Sequence, residues 1–154
     1  MLSALGQQLT TFGIRMKQPV ATVQIISIIF PISMLKNLEC LGLSPWILFM
    51  DDVILALATT SHTLRELTIC SQSRDNLPTL HSLCSLASNC PNLTQFHVRV
   101  NTVEIPSNVI PSSHHLETLR IDYGWSTIPR QSLVALAEFI DALFPYLCYF
   151  TSGV

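Results

Sequence analysis

One apolar motif recurs along the chain, with apolar residues at its first, fourth and sixth positions. The four clear copies are Leu38-x-x-Leu41-x-Leu43, Leu64-x-x-Leu67-x-Ile69, Leu93-x-x-Phe96-x-Val98 and Leu116-x-x-Leu119-x-Ile121. A worn copy begins Leu147-x-x-Phe150, and an earlier candidate is Val20-x-x-Val23-x-Ile25. From Leu38 onward, the first positions are 26, 29, 23 and 31 residues apart. Intervals of this size are typical of architectures in which each copy is one structural unit.

The motif has the spacing of a strand, because its fourth and sixth residues lie two apart and share one face. The segments between copies have the period of a helix instead. The helical stripes are Leu80, Leu83, Cys84 and Ala87; Leu133, Leu136, Ala137 and Ile140, extended by Leu143 and Phe144; and Val53, Ile54, Leu57 and Ala58 in a helix from about Asp51 to Thr60. Alternating strands and helices predict a parallel sheet.

Polar and proline residues mark the ends of these predicted helices. The signals are an acidic cap at Asp51 or Asp52, Pro129 at the first position of the last helix, Pro145 after that helix, and Cys90-Pro91-Asn92 after the middle helix. Between Val98 and Leu116, Pro106 and Pro111 forbid a regular helix. That crossover is therefore expected to be extended or rich in turns.

These units predict a leucine-rich-repeat solenoid of the α/β class, with about five irregular units. Short parallel strands form one face, and helices or irregular crossovers form the other. Each unit buries its apolar positions against the next unit. The interpretation treats residues 1–154 as one domain, clearest over residues 35–150, and as a fragment of a longer repeat protein.

The remaining strand positions point away from the core and are expected to form columns across the sheet. The columns are Cys40, Glu66, Gln95, Thr118 and Tyr149; Gly42, Thr68, His97, Arg120 and Thr151; and Ser44, Cys70, Arg99 and Asp122. A rigid array of polar side chains suits contact with a protein or peptide. The predicted partner-binding residues are Glu66, Thr68, Gln95, His97, Arg99, Thr118, Arg120 and Asp122.

Composition narrows the function classes. The formal charge is −2, so a basic nucleic-acid footprint is not expected. Charged residues are 12% of the chain, about half the usual quarter, which favours a piece of a larger protein or a protein near a membrane. The five cysteines have irregular spacing and no C-x-x-C pair, which favours reduced thiols in the cytoplasm or nucleus.

The first part of the chain has a different pattern. Leu2, Leu5, Leu9 and Phe12 have a helix-like spacing. The uncharged stretch 18–35 is interrupted by polar residues and proline, and is predicted to be a buried strand from Val20 to Ile26 followed by a short helical or irregular piece. A small membrane-anchored protein using residues 18–35 remains an alternative, although a span needs about 20 predominantly apolar residues.

The sequence contains no catalytic or phosphate-binding motif, so neither an enzyme nor a cofactor is expected. His81, Cys84 and Cys90 could be imagined as metal ligands, but Cys84 belongs to a helical apolar stripe, and no metal is expected. His114 and His115 are predicted to be turn residues. Trp46 and Trp125 follow strands, where they could anchor a partner or pack over the edge of the repeats.

Two segments resemble F-box proteins with leucine-rich repeats. Residues 90–98, CPNLTQFHV, look like the CPNL repeat of that family, and residues 137–147, AEFIDALFPYL, are similar to a closing segment of its fungal members. The resemblance implies the substrate-recognition region of a ubiquitin-ligase adaptor. It also implies a Skp-family partner if an F-box exists outside this chain, since none is seen within it.

The function expected from the sequence is therefore a non-enzymatic module that binds an unidentified protein. The alternative is an orphan or truncated repeat fragment without independent activity. Neither end of the chain has a strongly polar cap, and poor solubility or self-association is expected.

Overall fold

The chain folds as an α/β protein whose six strands form one all-parallel sheet, in the order in which they occur along the chain. This computed structural model describes residues 9–15, 31, 35–44, 51–71, 77–123 and 130–153. The strands are β1 (Thr11–Arg15), β2 (Cys40–Ser44), β3 (Glu66–Ile69), β4 (Gln95–Val100), β5 (Thr118–Tyr123) and β6 (Tyr149–Gly153). The helices in these ranges are α1 (Asp51–Thr60), α2 (His81–Asn89) and α3 (Arg130–Leu143).

The repeated apolar motif forms the core, as predicted. Its four clear copies place all twelve apolar side chains at no more than 2% exposure. The strand pairing stacks equivalent positions on each other, so that Leu67 faces Phe96, and Phe96 faces Leu119. Apolar residues of the helices complete the same cluster. Burial of each such side chain is worth about 1.5–3 kcal/mol.

Each strand is joined to the one before it by the same backbone contact. The carbonyl oxygen of Arg65 accepts two hydrogen bonds, from the N–H groups of Thr94 and Gln95, at 2.8 and 2.9 Å. Thr10, Glu39, Thr94 and Glu117 act as the paired acceptor at the other four junctions. The junctions therefore share one geometry although the segments between them differ in length.

The helix ends are also equivalent from one segment to the next. Ser61, Cys90 and Phe144 each stand three residues before the first apolar residue of a motif, and each is buried. The N–H of each donates to the preceding helical turn, and the carbonyl of each accepts from that first apolar residue. The turn after each helix is therefore built in the same way. Helix α2 ends before Cys90-Pro91-Asn92 and α3 ends before Pro145, as predicted.

The start of the chain differs from its predicted helix-like pattern. Phe12 lies in strand β1, which pairs with β2 and aligns Phe12 with Leu41. The prediction was wrong because Leu9-x-x-Phe12-x-Ile14 is itself a copy of the apolar motif, 29 residues before Leu38. A spacing of three between Leu9 and Phe12 fits a helix and this motif equally well. The apolar residue at position six, Ile14, distinguishes the motif from a helix.

The predicted helix faces are correct for α1, pack against the core in α2 with Leu86 in addition, and are partly wrong for α3. In α1 the buried residues are Val53, Ile54, Leu57 and Ala58, as expected. In α2 the buried apolar residues include Leu83 and Leu86, while Cys84 and Ala87 are half-buried. In α3 the buried residues are Leu136, Phe139, Ile140 and Leu143, whereas Leu133 and Ala137 are exposed. In α3 the burial of Phe139 in place of Leu133 and Ala137 rotates the face away from the predicted stripe.

Asp51 does not act as the predicted cap of its own helix. Its two carboxylate oxygens accept hydrogen bonds from the N–H and hydroxyl of Thr79, at 2.7 and 2.6 Å, just before α2. Asp52 instead accepts from the N–H of Val53 at 3.0 Å. Asp51 therefore ties the start of α1 to the start of α2.

Residues 101–117 contain no helix, as their prolines predict. The predicted strand Val20–Ile26, most of the stretch 18–35, and Pro129 lie outside the described residues. Within the described ranges, no helix has the length and apolar character needed to cross a bilayer.

Candidate functional site on the exposed face of the sheet

The exposed face of the sheet is built from the predicted columns. Strand pairing aligns Glu66 with Gln95, Gln95 with Thr118, and Thr118 with Tyr149. The second column runs through Gly13, Gly42, Thr68, His97, Arg120 and Thr151. These side chains share a face because alternate residues of a strand point the same way. The pairing confirms these two columns and extends each by one residue on β1.

An acidic side chain joins the second and third columns. The carboxylate of Asp122 accepts from Nε2 of His97 at 2.9 Å and from Nε of Arg120 at 3.2 Å. Gly153 stands beside Asp122 in the pairing, and a Cβ there would lie 2.8 Å from Oδ1 of Asp122. The glycine therefore leaves the space that this carboxylate occupies.

The contacts of Asp122 keep it ionised. Partial burial raises its pKa, but the hydrogen bonds from His97 and Arg120 and the positive charge of Arg120 outweigh burial, and the pKa of Asp122 lies below its ordinary value. Asp122 consequently remains an acceptor at neutral pH. A carboxylate held in this way orients both of its neighbours.

The third column contains a further chain of contacts. Cys70 follows the last residue of β3, and its Sγ lies 3.8 Å from Nδ1 of His97. Arg99 lies in the same column, and its Nη1 donates to the carbonyl of Ser71 at 3.1 Å. Cys70, His97 and Asp122 are therefore linked in one line across β3, β4 and β5. Arg99 fixes the backbone next to the thiol.

Six of the eight predicted binding residues line a shallow depression. Its volume is about 160 Å³, and Glu66, Thr68, Gln95, His97, Thr118 and Arg120 line it. Beside it, Gly42 and Gly13 carry no side chain in the column of Thr68, and among the described residues they form a bare strip of the sheet. A Cβ on Gly42 would have no heavy atom within 4 Å, so packing does not require glycine there. The depression and the bare strip together form a continuous, low surface.

His114 is part of the core and not a turn residue as predicted. It is 5% exposed, and its Nε2 donates to the carbonyl of Cys90 at 2.6 Å. Its ring meets Phe144 edge-on at 5.5 Å between centroids. His115 lies outside the core and stacks on Tyr146 at 4.3 Å. The apolar pattern of the sequence gave no sign that His114 is buried.

A second concavity lies away from the sheet face. It measures about 750 Å³ between α2 and residues 104–113, with His81, Cys84 and Glu104 among its lining residues. None of the predicted binding residues reaches it. The structure gives it no polar side chain that is both buried and directed inward.

Some of the residues singled out in the sequence lie outside the described ranges, and others have surroundings that the sequence did not predict. Trp46 and Trp125 are not among the described residues. Within the described part of the chain, no group of three or more His, Cys, Asp or Glu side chains is placed to hold a metal ion. Cys84 and Cys90 instead have raised pKa values because of burial, to about 11 for Cys90. Sequence reasoning placed Cys70 in a column but did not foresee its contact with His97, since spacing does not give side-chain rotamers.

No family model matches the chain, and no curated protein matches it significantly.

Proposed function

We propose that this chain is a leucine-rich-repeat solenoid module that binds another protein through the exposed face of its sheet. The observation that carries the proposal is the low surface formed by the depression and the bare strip at Gly42. Glycine weakens a strand, and in a strand it often marks a bulge, a tight bend, or a place where a ligand or another backbone approaches closely. Its presence where packing does not require it therefore favours a ligand at this surface.

The chemistry of the face suits a polypeptide. Glu66 and Arg120 offer opposite charges on either side of the depression, while Gln95 and the two threonines offer neutral donors and acceptors. Peptide backbones and mixed side chains need both kinds of group. The volume of about 160 Å³ accommodates one small side chain of such a ligand.

The proposed role is non-enzymatic and belongs to the cytoplasm or nucleus. The resemblance of residues 90–98 and 137–147 to F-box proteins supports a role in recognising the substrate of a ubiquitin ligase. The repeated junctions and helix ends support the solenoid. The Skp-family contact belongs to this proposal only if an F-box lies outside this chain.

A random-peptide display selection on the purified chain tests the binding face. We expect the selected peptides to bind the wild type and to lose affinity at least about tenfold for Gln95→Arg and Gly42→Thr. Asn108→Arg is the matched control, because it also replaces an exposed amide but lies on the loop before β5. Equal binding to all three variants, or no selected peptide, would contradict the proposal.

A further inference from the structure

Three chemically active side chains lie in line on neighbouring strands. Sγ of Cys70 is 3.8 Å from Nδ1 of His97, and Nε2 of His97 is 2.9 Å from Oδ2 of Asp122. A thiol, an imidazole and a carboxylate in this order are the parts of an activated nucleophile: the group that attacks, its base, and the residue that orients the base. The protein-binding role proposed above depends neither on the thiol nor on this arrangement of thiol, imidazole and carboxylate.

The contacts fix the proton on the imidazole. An ionised carboxylate only accepts hydrogen bonds, so Nε2 of His97 must be the protonated nitrogen that donates to Asp122. In the neutral ring, Nδ1 then carries a lone pair, and that lone pair faces the sulfur of Cys70. His97 is therefore held in the tautomer that accepts a proton from the thiol.

We infer that Cys70, His97 and Asp122 form a nucleophilic thiol centre that reacts with small, uncharged carbon electrophiles. With iodoacetamide, the sulfur of Cys70 forms a bond to the methylene carbon and the carbon–iodine bond breaks. Iodide leaves with the bonding pair, and the thiol proton passes to Nδ1 of His97. The reaction consumes the thiol once, so it is a modification site within a binding module and not a catalytic cycle.

The electrostatic surroundings explain why a base is needed. Burial and the charge of Asp122 raise the pKa of Cys70, and the charge of Arg120 lowers it by less. The thiol is therefore protonated at neutral pH and needs an acceptor at the moment of attack. Among the side chains that the structure describes, the charged groups on this part of the face include His97 and Arg99 on β4, Arg120 and Asp122 on β5, and Glu66 at the other end of β3.

The other cysteines have different surroundings. Sγ of Cys90 is buried and contacts the carbonyl of Ala58 at 3.6 Å, and Sγ of Cys148 contacts that of Tyr146 at 3.5 Å. Cys148 is exposed, whereas Cys70 is half-buried. Exposure alone would make Cys148 the faster thiol, and the arrangement around Cys70 predicts the reverse order.

Timed alkylation of the intact wild-type chain with iodoacetamide, followed by peptide mass spectrometry, measures both thiols in one sample. We expect Cys70 to react at least about tenfold faster than Cys148 near neutral pH. A Cys70 rate at or below that of Cys148 would overturn the inference without any variant.

His97→Asn should lower the rate of Cys70 at least about tenfold and leave Cys148 unchanged. His81→Asn is the matched control, since it replaces an exposed histidine on α2, and both rates should stay the same. An unchanged Cys70 rate in a folded His97→Asn chain, checked by circular dichroism, would also overturn the inference.

Discussion

Leu67 and Thr68 are neighbours in the chain, but their side chains lie on opposite faces of β3. Leu67 is 1% exposed and packs in the core, while Thr68 lines the depression on the outer face. The same alternation separates Leu119 from Arg120 on β5. One residue therefore separates a side chain that stabilises the fold from one that is available to a ligand.

Leu67→Ala and Leu119→Ala should each lower the free energy of unfolding by about 2–5 kcal/mol, because each leaves a cavity in a packed core. Thr68→Ala should lower it by no more than about 0.5 kcal/mol. Urea denaturation followed by circular dichroism measures all three. Similar losses for the leucine and threonine variants would show that the two faces are assigned wrongly.

His114 should make the stability of the chain depend on pH. Burial lowers its pKa, and the hydrogen bond to the carbonyl of Cys90, which acts in the opposite direction, does not offset burial. Because that bond is made by the protonated Nε2, Nδ1 is the nitrogen that must take up a second proton, and it is buried with no hydrogen-bond partner among the described residues. The unfolded chain therefore binds this proton more readily than the folded chain does.

The sign follows from linkage. The contribution of His114 is complete above the ordinary histidine pKa of about 6.5 and is lost as the pH falls through and below that value. The free energy of unfolding, measured in urea at about pH 7.5 and about pH 5.5, should fall more in the wild type than in His114→Gln. His81→Gln, at an exposed position, should retain the wild-type loss. Equal losses in the wild type and His114→Gln would contradict this account.

At the scale of elements, the contact between Asp51 and Thr79 joins α1 to α2. Neither residue belongs to an apolar stripe, and they are 28 positions apart. The sequence identified Asp51 as a residue at a helix start but not its partner. An acidic residue at this position can either cap its own helix or bridge to the next helix. The residue type alone therefore does not distinguish the two roles.

Asp51→Ala should lower the free energy of unfolding by about 1–3 kcal/mol, since it removes two hydrogen bonds to a charged acceptor. Thr79→Ala removes the hydroxyl bond but keeps the N–H bond, so its effect should be smaller. The double variant should lose less than the sum of the two, by about 0.5 kcal/mol or more. Asp52→Ala is the adjacent acidic control, and no coupling with Thr79→Ala is expected.

The parts of the fold that the sequence predicted are those determined by periodicity. Strands β2 to β6 and the helix from Asp51 to Thr60 follow directly from where apolar residues recur. The exposure of Leu133 and the burial of His114 could not be read in that way. They depend on which neighbouring element covers a residue, and a period of 3.6 leaves the direction of a helix face uncertain by one side chain. The same limit hid the contact between Cys70 and His97.

At the scale of the whole molecule, the end of the sheet formed by β6 leaves apolar side chains exposed. Phe150 aligns with the buried Leu119, yet it is 45% exposed, and Tyr149 beside it is 70% exposed. A concavity of about 310 Å³ between α3 and β6 is lined by Leu133, Leu136, Ile140 and Phe150, among others. Exposed apolar surface of this kind reduces solubility.

The wild-type chain should therefore self-associate as its concentration rises, which sedimentation velocity measures. Phe150→Ser and Leu133→Ser should each reduce the share of larger species, because each removes apolar surface at the β6 end. Ile110→Ser is the matched control, since Ile110 is 86% exposed but lies on the loop before β5. A wild-type chain that stays monomeric at high concentration would contradict this expectation.

The order of the strands has a mechanical consequence. Among the strands that the structure describes, each is hydrogen-bonded only to its neighbours in chain order, from β1 through β6. Force applied to the two ends would accordingly detach β6 from β5 while leaving β2 and β3 paired, and the chain would lengthen in separate steps. A sheet whose first and last strands lay side by side in its middle would resist the same pull until it ruptured as a whole.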